Sequence, residues 1–243
     1  MDLDQTKTLT NHVLQFLADV NRFACAILGG PHVGLEVKEQ FLLAHRWRML
    51  RFSQGIEVTA AANLIDPCGS LLRVMIELGY VLSAVAADPA NLTVLFEQGQ
   101  MEGKKALEGL RKELAPSERG AALTDAYLDA EIAGLNASGS GFVPYNWAGL
   151  AKFKPAHATI YRLVSRHSHA GTNGTMDYFE GLDTETPKLR PNLPAFLVSE
   201  YCLTAAVLML DALTALSLQT MTDIRVAEAA EMSLRWRALM TVE

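Results

Sequence analysis

Residues 67–86, PCGSLLRVMIELGYVLSAVA, constrain this chain more than any other stretch. Leu71, Leu72, Met75, Ile76, Leu78, Tyr80 and Leu82 cover most sides of a helix rather than one stripe. Such a helix is stable in water only when neighbours cover it on several sides, so it belongs at the centre of a bundle. Asp66-Pro67 supplies its start, an N-cap residue followed by proline at the first helical position.

The flanking segments read as the cover. Leu9, Val13, Phe16, Leu17, Val20, Phe23 and Ala24 recur at spacings of three and four, the one-faced pattern of an amphipathic helix, and Gly29-Gly30-Pro31 ends it. A second helix is expected over residues 36–63. Its His45, Arg46 and Arg48 read as a solvated face. Asp88-Pro89 repeats the start signal and opens a more polar helix to about Leu114, followed by one over Ser117 to Leu135. Further helices are expected over Pro155 to Ala170, Pro194 to Gln219 and Thr222 to Thr241. Two Gly-, Ser-, Asn- and Pro-rich stretches, residues 136–153 and 171–192, read as long loops, which in small helical proteins are often functional. The expected fold class is all-α, a bundle of about seven to eight helices forming one domain over residues 1–243, with 88–135 as a helical appendage.

The 21 basic and 27 acidic residues give a net charge of -6, against the basic footprint of a chain that holds nucleic acid by bulk electrostatics. A local basic site stays open. Three cysteines, Cys25, Cys68 and Cys202, are too scattered for a disulfide framework or a metal clasp, so a cytoplasmic setting is expected. No membrane association is expected. The N-terminal residues lack an apolar run, and the apolar stretch Tyr201 to Leu218 carries Asp211 near its middle. Phosphate-loop, dinucleotide, zincin and nucleophile-elbow motifs are all missing from the sequence, as are the paired Glu-x-x-His motifs of di-metal bundles. No cofactor is expected.

Two constellations carry the remaining chemistry. In residues 156–174, AHATIYRLVSRHSHAGTNG, a helical reading puts Arg162, Ser165, Arg166 and His169 on one polar stripe. A guanidinium can hold phosphate oxygens in a fork, while an imidazole exchanges protons near neutral pH. The same stripe also fits a helix end whose cations complement the dipole. On the central helix, Arg73 and Glu77 stand four residues apart among apolar neighbours. They are expected to pair with each other or with another helix, with Glu77 orienting His169 or holding Arg162. A buried ion pair that fixes helix register is the structural alternative. Asp211 and Glu200 are expected to meet the same interior or cap a neighbour. Phe142, Tyr145 and Trp147 could stack a base or cover the core edge. A metal site from His167, His169 and Asp177 is disfavoured, because two histidines two residues apart on a helix point apart.

The residues Leu71, Leu72, Arg73, Glu77 and Leu78, followed by Tyr161, Ser165 and His169, resemble the LLRxxxEL and YxxxSxxxH motifs of an all-helical bacterial family of unknown function, over about residues 36–215. More distantly, the Arg162-to-His169 spacing is similar to the Arg–His spacing of the HEPN superfamily. Leu163 departs from that pattern, occupying a position where active members carry Asn, Asp or His. The HEPN-like resemblance implies a helical homodimer that cleaves RNA without a metal or binds nucleotides, of a toxin or phage-defence kind. It implies His169 as general acid or base and Arg162 as the cation stabilising the phosphorane, with Ser165 beside them and Arg73, Glu77, Tyr161 and Arg166 in support. The alternative is a non-catalytic helical interaction module in which these polar residues form a structural cluster.

Overall fold

The computed structural model describes residues 3–135, 140–166, 179–180, 188–189, 195–214, 228, 231–232 and 234–235. In chain order its helices are α1 (Leu3–Leu28), α2 (Val37–Ala61), α3 (Ile65–Ala87), α4 (Ala90–Glu113), α5 (Asp125–Gly134), α6 (Pro144–Leu150), α7 (Lys154–Ala156), α8 (Arg162–Ser165) and α9 (Ala195–Thr214). A π-helical turn, His157–Tyr161, joins α7 to α8 without a break. The fold is an all-α bundle. Its described extended residues form one short antiparallel ladder, β1 (Phe179–Glu180) with β2 (Lys188–Leu189), inside the second expected loop.

The apolar patterns decide the packing. Val13, Phe16, Leu17, Val20, Phe23 and Ala24 of α1 are all buried, as their spacing predicts. With α2, α3 and α9 they enclose one continuous core around Leu50, Ile56, Leu72, Met75, Cys202 and Met209. The central helix is α3, which α2, α9, α6 and α8 all touch. α4 buries no residue fully. Its Leu92 and Leu95 lie against the core, and it also packs on α5.

Several boundaries differ from the sequence expectation for identifiable reasons. α3 opens at Ile65, so Asp66 lies in the first turn, where its charge complements the helix dipole, instead of capping it. Asp88 does cap α4, its Oδ1 accepting from the Ala90 N–H at 2.9 Å. The helix expected over 117–135 is a short 3₁₀ turn, Pro116–Glu118, and then α5. Between them the buried Arg119 donates to the carbonyls of Leu114 (2.9 Å) and Arg111 (2.6 Å), which holds the chain in a turn. Thr124 then caps α5 through the Tyr127 N–H. Within the first expected loop, Pro144 starts α6 and Trp147 on it is fully buried. Most of residues 171–192 and 222–241 lie outside the described residues.

The solvated face expected on α2 fails at Arg46, which is 2% exposed. Its Nε donates to the Ala212 carbonyl near the end of α9 at 2.8 Å. Burial pulls its pKa down to about 10, which leaves it charged at neutral pH. α1 and α2 are joined similarly by a chain in which Ser53 Oγ donates to Asn21 Oδ1 (2.6 Å) and Asn21 Nδ2 to Glu57 Oε2 (2.7 Å). The apolar stretches Ile65–Ala87 and Phe196–Leu213 are long enough to cross a membrane, and about half of each is buried inside the bundle.

Candidate functional site

Arg73 and Glu77 share the face of α3 that the π-turn and α8 cover, because residues four apart on a helix project together. Their side chains meet at 3.3 Å, Arg73 Nη2 to Glu77 Oε1, in a half-buried position. Tyr161 completes the cluster. Its hydroxyl donates to Glu77 Oε1 at 2.6 Å and accepts from Arg73 Nε at 3.1 Å. Its ring lies 5.6 Å from the Arg73 guanidinium carbon. Burial, followed by the Glu77 carboxylate, pushes the Tyr161 pKa above its ordinary value, so the hydroxyl keeps its proton and acts as a donor.

An aromatic wall fixes this tyrosine from behind. His157, one π-turn earlier, stacks on its ring at 4.3 Å and 17°. Tyr80 lies 6.0 Å and Tyr145 5.5 Å from the same imidazole. His157 is buried, and its Nδ1 has no hydrogen-bond partner among the described residues. Burial and then the positive charge of Arg162 lower its pKa, so it stays neutral. The Tyr80 hydroxyl is also buried without a partner among the described residues, and burial, with Tyr161 and the Glu77 carboxylate nearby, raises its pKa to about 12.

The structure therefore brings Arg73, Glu77 and Tyr161 together and sets Arg162 apart. The guanidinium on Glu77 is that of Arg73, and Arg162 projects to solvent with no ion pair among the described residues. The Ser165 hydroxyl donates to the Tyr161 carbonyl at 2.7 Å, back along its own helix, so it braces the turn. Arg166 is half-buried one residue further on. His169, with His167 and Asp177, lies outside the described residues. No group of three or more metal-ligating side chains forms among the described residues. Glu200 and Asp211 are exposed on α9, and Asp211 lines a hollow shared with Tyr80, Phe153 and Ile160. Of the three loop aromatics, Trp147 is sealed in the core with its Nε1 donating to Gln98 Oε1 at 2.7 Å, and Phe142 stacks on it at 6.0 Å.

Residues 40–186 match the Family of unknown function (DUF5677), more than half of the chain. The chain belongs to this family. The matched region of this family member contains Arg73, Glu77 and Tyr161 together with Arg162, Ser165, Arg166 and His169. No curated protein matches the chain, and no solved structure does.

Sequence reading missed His157 and Tyr80 as members of the site. The signal for His157 was present in its four-residue spacing from Tyr161, which puts two rings on one helix face. Tyr80 gave no signal, since it reads as one more core residue of α3.

Proposed function

We propose that this protein binds RNA or a nucleotide through phosphate at the Arg162 end of α8, and that His169 makes it an RNA-cleaving enzyme. The observation that carries the reading is the exposed Arg162 guanidinium one residue beyond a tyrosine held by Arg73, Glu77 and the His157 stack. A cation carried on so firmly tied a base offers a phosphate two parallel N–H donors at little ordering cost. Arg166, one residue after Ser165, adds a second cation to the same short segment.

In the cleavage step the RNA 2′-hydroxyl gives up its proton and bonds to phosphorus. The bond from phosphorus to the 5′ oxygen breaks, and that oxygen takes a proton. His169 serves one of these transfers, and Arg162 stabilises the charged phosphorane. The products are a 2′,3′-cyclic phosphate and a 5′-hydroxyl. The reading carries with it a cytoplasmic homodimer with one such site per chain, of a toxin-like or defence-related kind.

A ribonuclease assay on wild type, Arg162→Ala and His169→Ala tests it. The expected result is cleavage by wild type that falls by about a hundredfold or more in His169→Ala. Equal cleavage by wild type and His169→Ala, or none by either across varied RNAs, removes the catalytic part. RNA affinity unchanged in Arg162→Ala removes the phosphate contact.

One observation favours a second reading. The Tyr161 and Ser165 hydroxyls both have internal partners, as a non-catalytic interaction module with a structural polar cluster requires. That reading predicts that His169→Ala lowers the melting temperature while no nucleotide stabilises the wild type.

A further inference from the structure

Glu77 also lines a cleft of about 360 Å³ between α2, α3 and α4, within the roughly 300–1,000 Å³ range of small-molecule sites. Its walls are aromatic. Phe41 lies 4.1 Å from the His45 imidazole and 6.2 Å edge-on from Phe96. Phe96 is 54% exposed, although it has a cleft to line, so its ring is open to a flat ligand. Phe142 adds a third ring. Rings in this state stack nucleobases, since every base has a π-face.

The polar groups in the cleft are already oriented by bonds to the protein. Glu77 Oε1 is held by Tyr161 and Arg73, and Oε2 has no bond among the described residues. Glu102 is arranged the same way, its Oε1 accepting from the Phe142 N–H at 2.9 Å. The Gln98 carbonyl oxygen is held by Trp147, which leaves its amide N–H groups as donors. Burial, with the charges of Arg48 and Arg46, lowers the His45 pKa to about 4, so this imidazole is neutral. The Glu77 carboxylate is paired with Arg73, and the other two charged groups of the lining, Glu102 and Arg48, are both exposed. The floor therefore offers acceptor oxygens to an uncharged ring bearing N–H donors without an excess of negative charge.

We propose that this cleft is a nucleobase pocket for a purine with N–H donors on its pairing edge, guanine being the best match. The Glu77 and Glu102 oxygens accept those protons, Gln98 donates to the ring carbonyl, Phe96 stacks, and Arg48 meets the phosphate outside. The proposal rests on the nucleotide reading above and gives it a base preference.

Titration calorimetry and thermal shift with guanosine, inosine and uridine 5′-monophosphates test it, on wild type, Phe96→Ala, Phe96→Trp and Arg162→Ala. Guanosine monophosphate is expected to bind at least about tenfold more tightly than the other two. Phe96→Ala loses about tenfold of that affinity and Phe96→Trp keeps it, with circular dichroism confirming that both fold. Equal affinity for all three, or guanosine monophosphate affinity unchanged in Phe96→Ala, overturns the pocket. In that case RNA binding that depends on Arg162 leaves the phosphate reading standing. Conversely, base-selective binding that survives Arg162→Ala in a protein that binds no RNA supports the pocket and ends the RNA reading.

Discussion

The Tyr161 hydroxyl donates to Glu77 Oε1 at 2.6 Å, joining residues 84 positions apart in the chain. Arg73 meets both groups, so three polar side chains complete one another in a half-buried place where any of them alone would be costly. The bond also ties the π-turn to the central helix, which makes it the fixed point for everything that α8 presents.

Tyr161→Phe keeps the ring and its stack on His157 but removes the hydroxyl that bridges Arg73 and Glu77. Among the described residues Glu77 then keeps Arg73 as its partner. The expected loss is about 1–3 kcal/mol in urea unfolding, with an unchanged m value. A loss below about 0.5 kcal/mol would mean that solvent replaces the hydroxyl without penalty.

Arg162→Ala is expected to change stability by no more than about 0.5 kcal/mol, since the side chain is exposed and unpaired among the described residues. RNA affinity is expected to fall for all sequences alike. The slope of log affinity against log salt should shrink by roughly one, the signature of one lost phosphate contact. Filter binding at several salt concentrations measures both.

Arg46→Ala removes a buried side chain and leaves the Ala212 carbonyl without its donor. The expected cost is about 3 kcal/mol or more, from lost packing and an unsatisfied acceptor together. Arg46→Met restores most of the volume and should recover part of that loss. If the two variants melted alike, packing of the stem would carry no weight there.

Acid should destabilise the fold through His45. Its folded pKa, lowered to about 4 by burial and by Arg48 and Arg46, lies below the ordinary value of 6.5. Between those two values the unfolded chain binds a proton that the folded chain refuses. This contribution to stability is therefore complete above about pH 6.5 and is lost as the pH falls toward 4. Allowing for partial solvent screening, the loss is about 1–3 kcal/mol. His45→Gln, which does not titrate, should show a flatter fall over that window.

The bundle was legible because one-faced spacing survives whatever the partner is. Val13 to Ala24 had to be buried somewhere, and the many-sided helix around Leu72 had to be central. The Arg73–Glu77 pair was legible for the same reason, since four residues on a helix is a local relation. What Glu77 bonds to across the fold was not, because nothing local ties residue 77 to residue 161. Arg46 was misread since a single arginine among His45, Arg48 and Arg51 looks like its neighbours. Only the arrival of the end of α9 over it takes it out of water. Trp147 was hidden by the Gly- and Ser-rich residues before it, which say loop until the indole finds Gln98.

The π-turn at His157–Tyr161 determines which way the following chain faces. An α-helix advances about 100° per residue, so the wider turn rotates everything after it relative to an unbroken helix. Regularising it with the same residues would swing Arg162 and the rest of α8 around the axis by about a quarter of a revolution, whereas deleting one residue would leave α8 facing much as it does and carry the His157 imidazole off the Tyr161 ring. This stretch should therefore tolerate exchanges of side chain far better than changes of length.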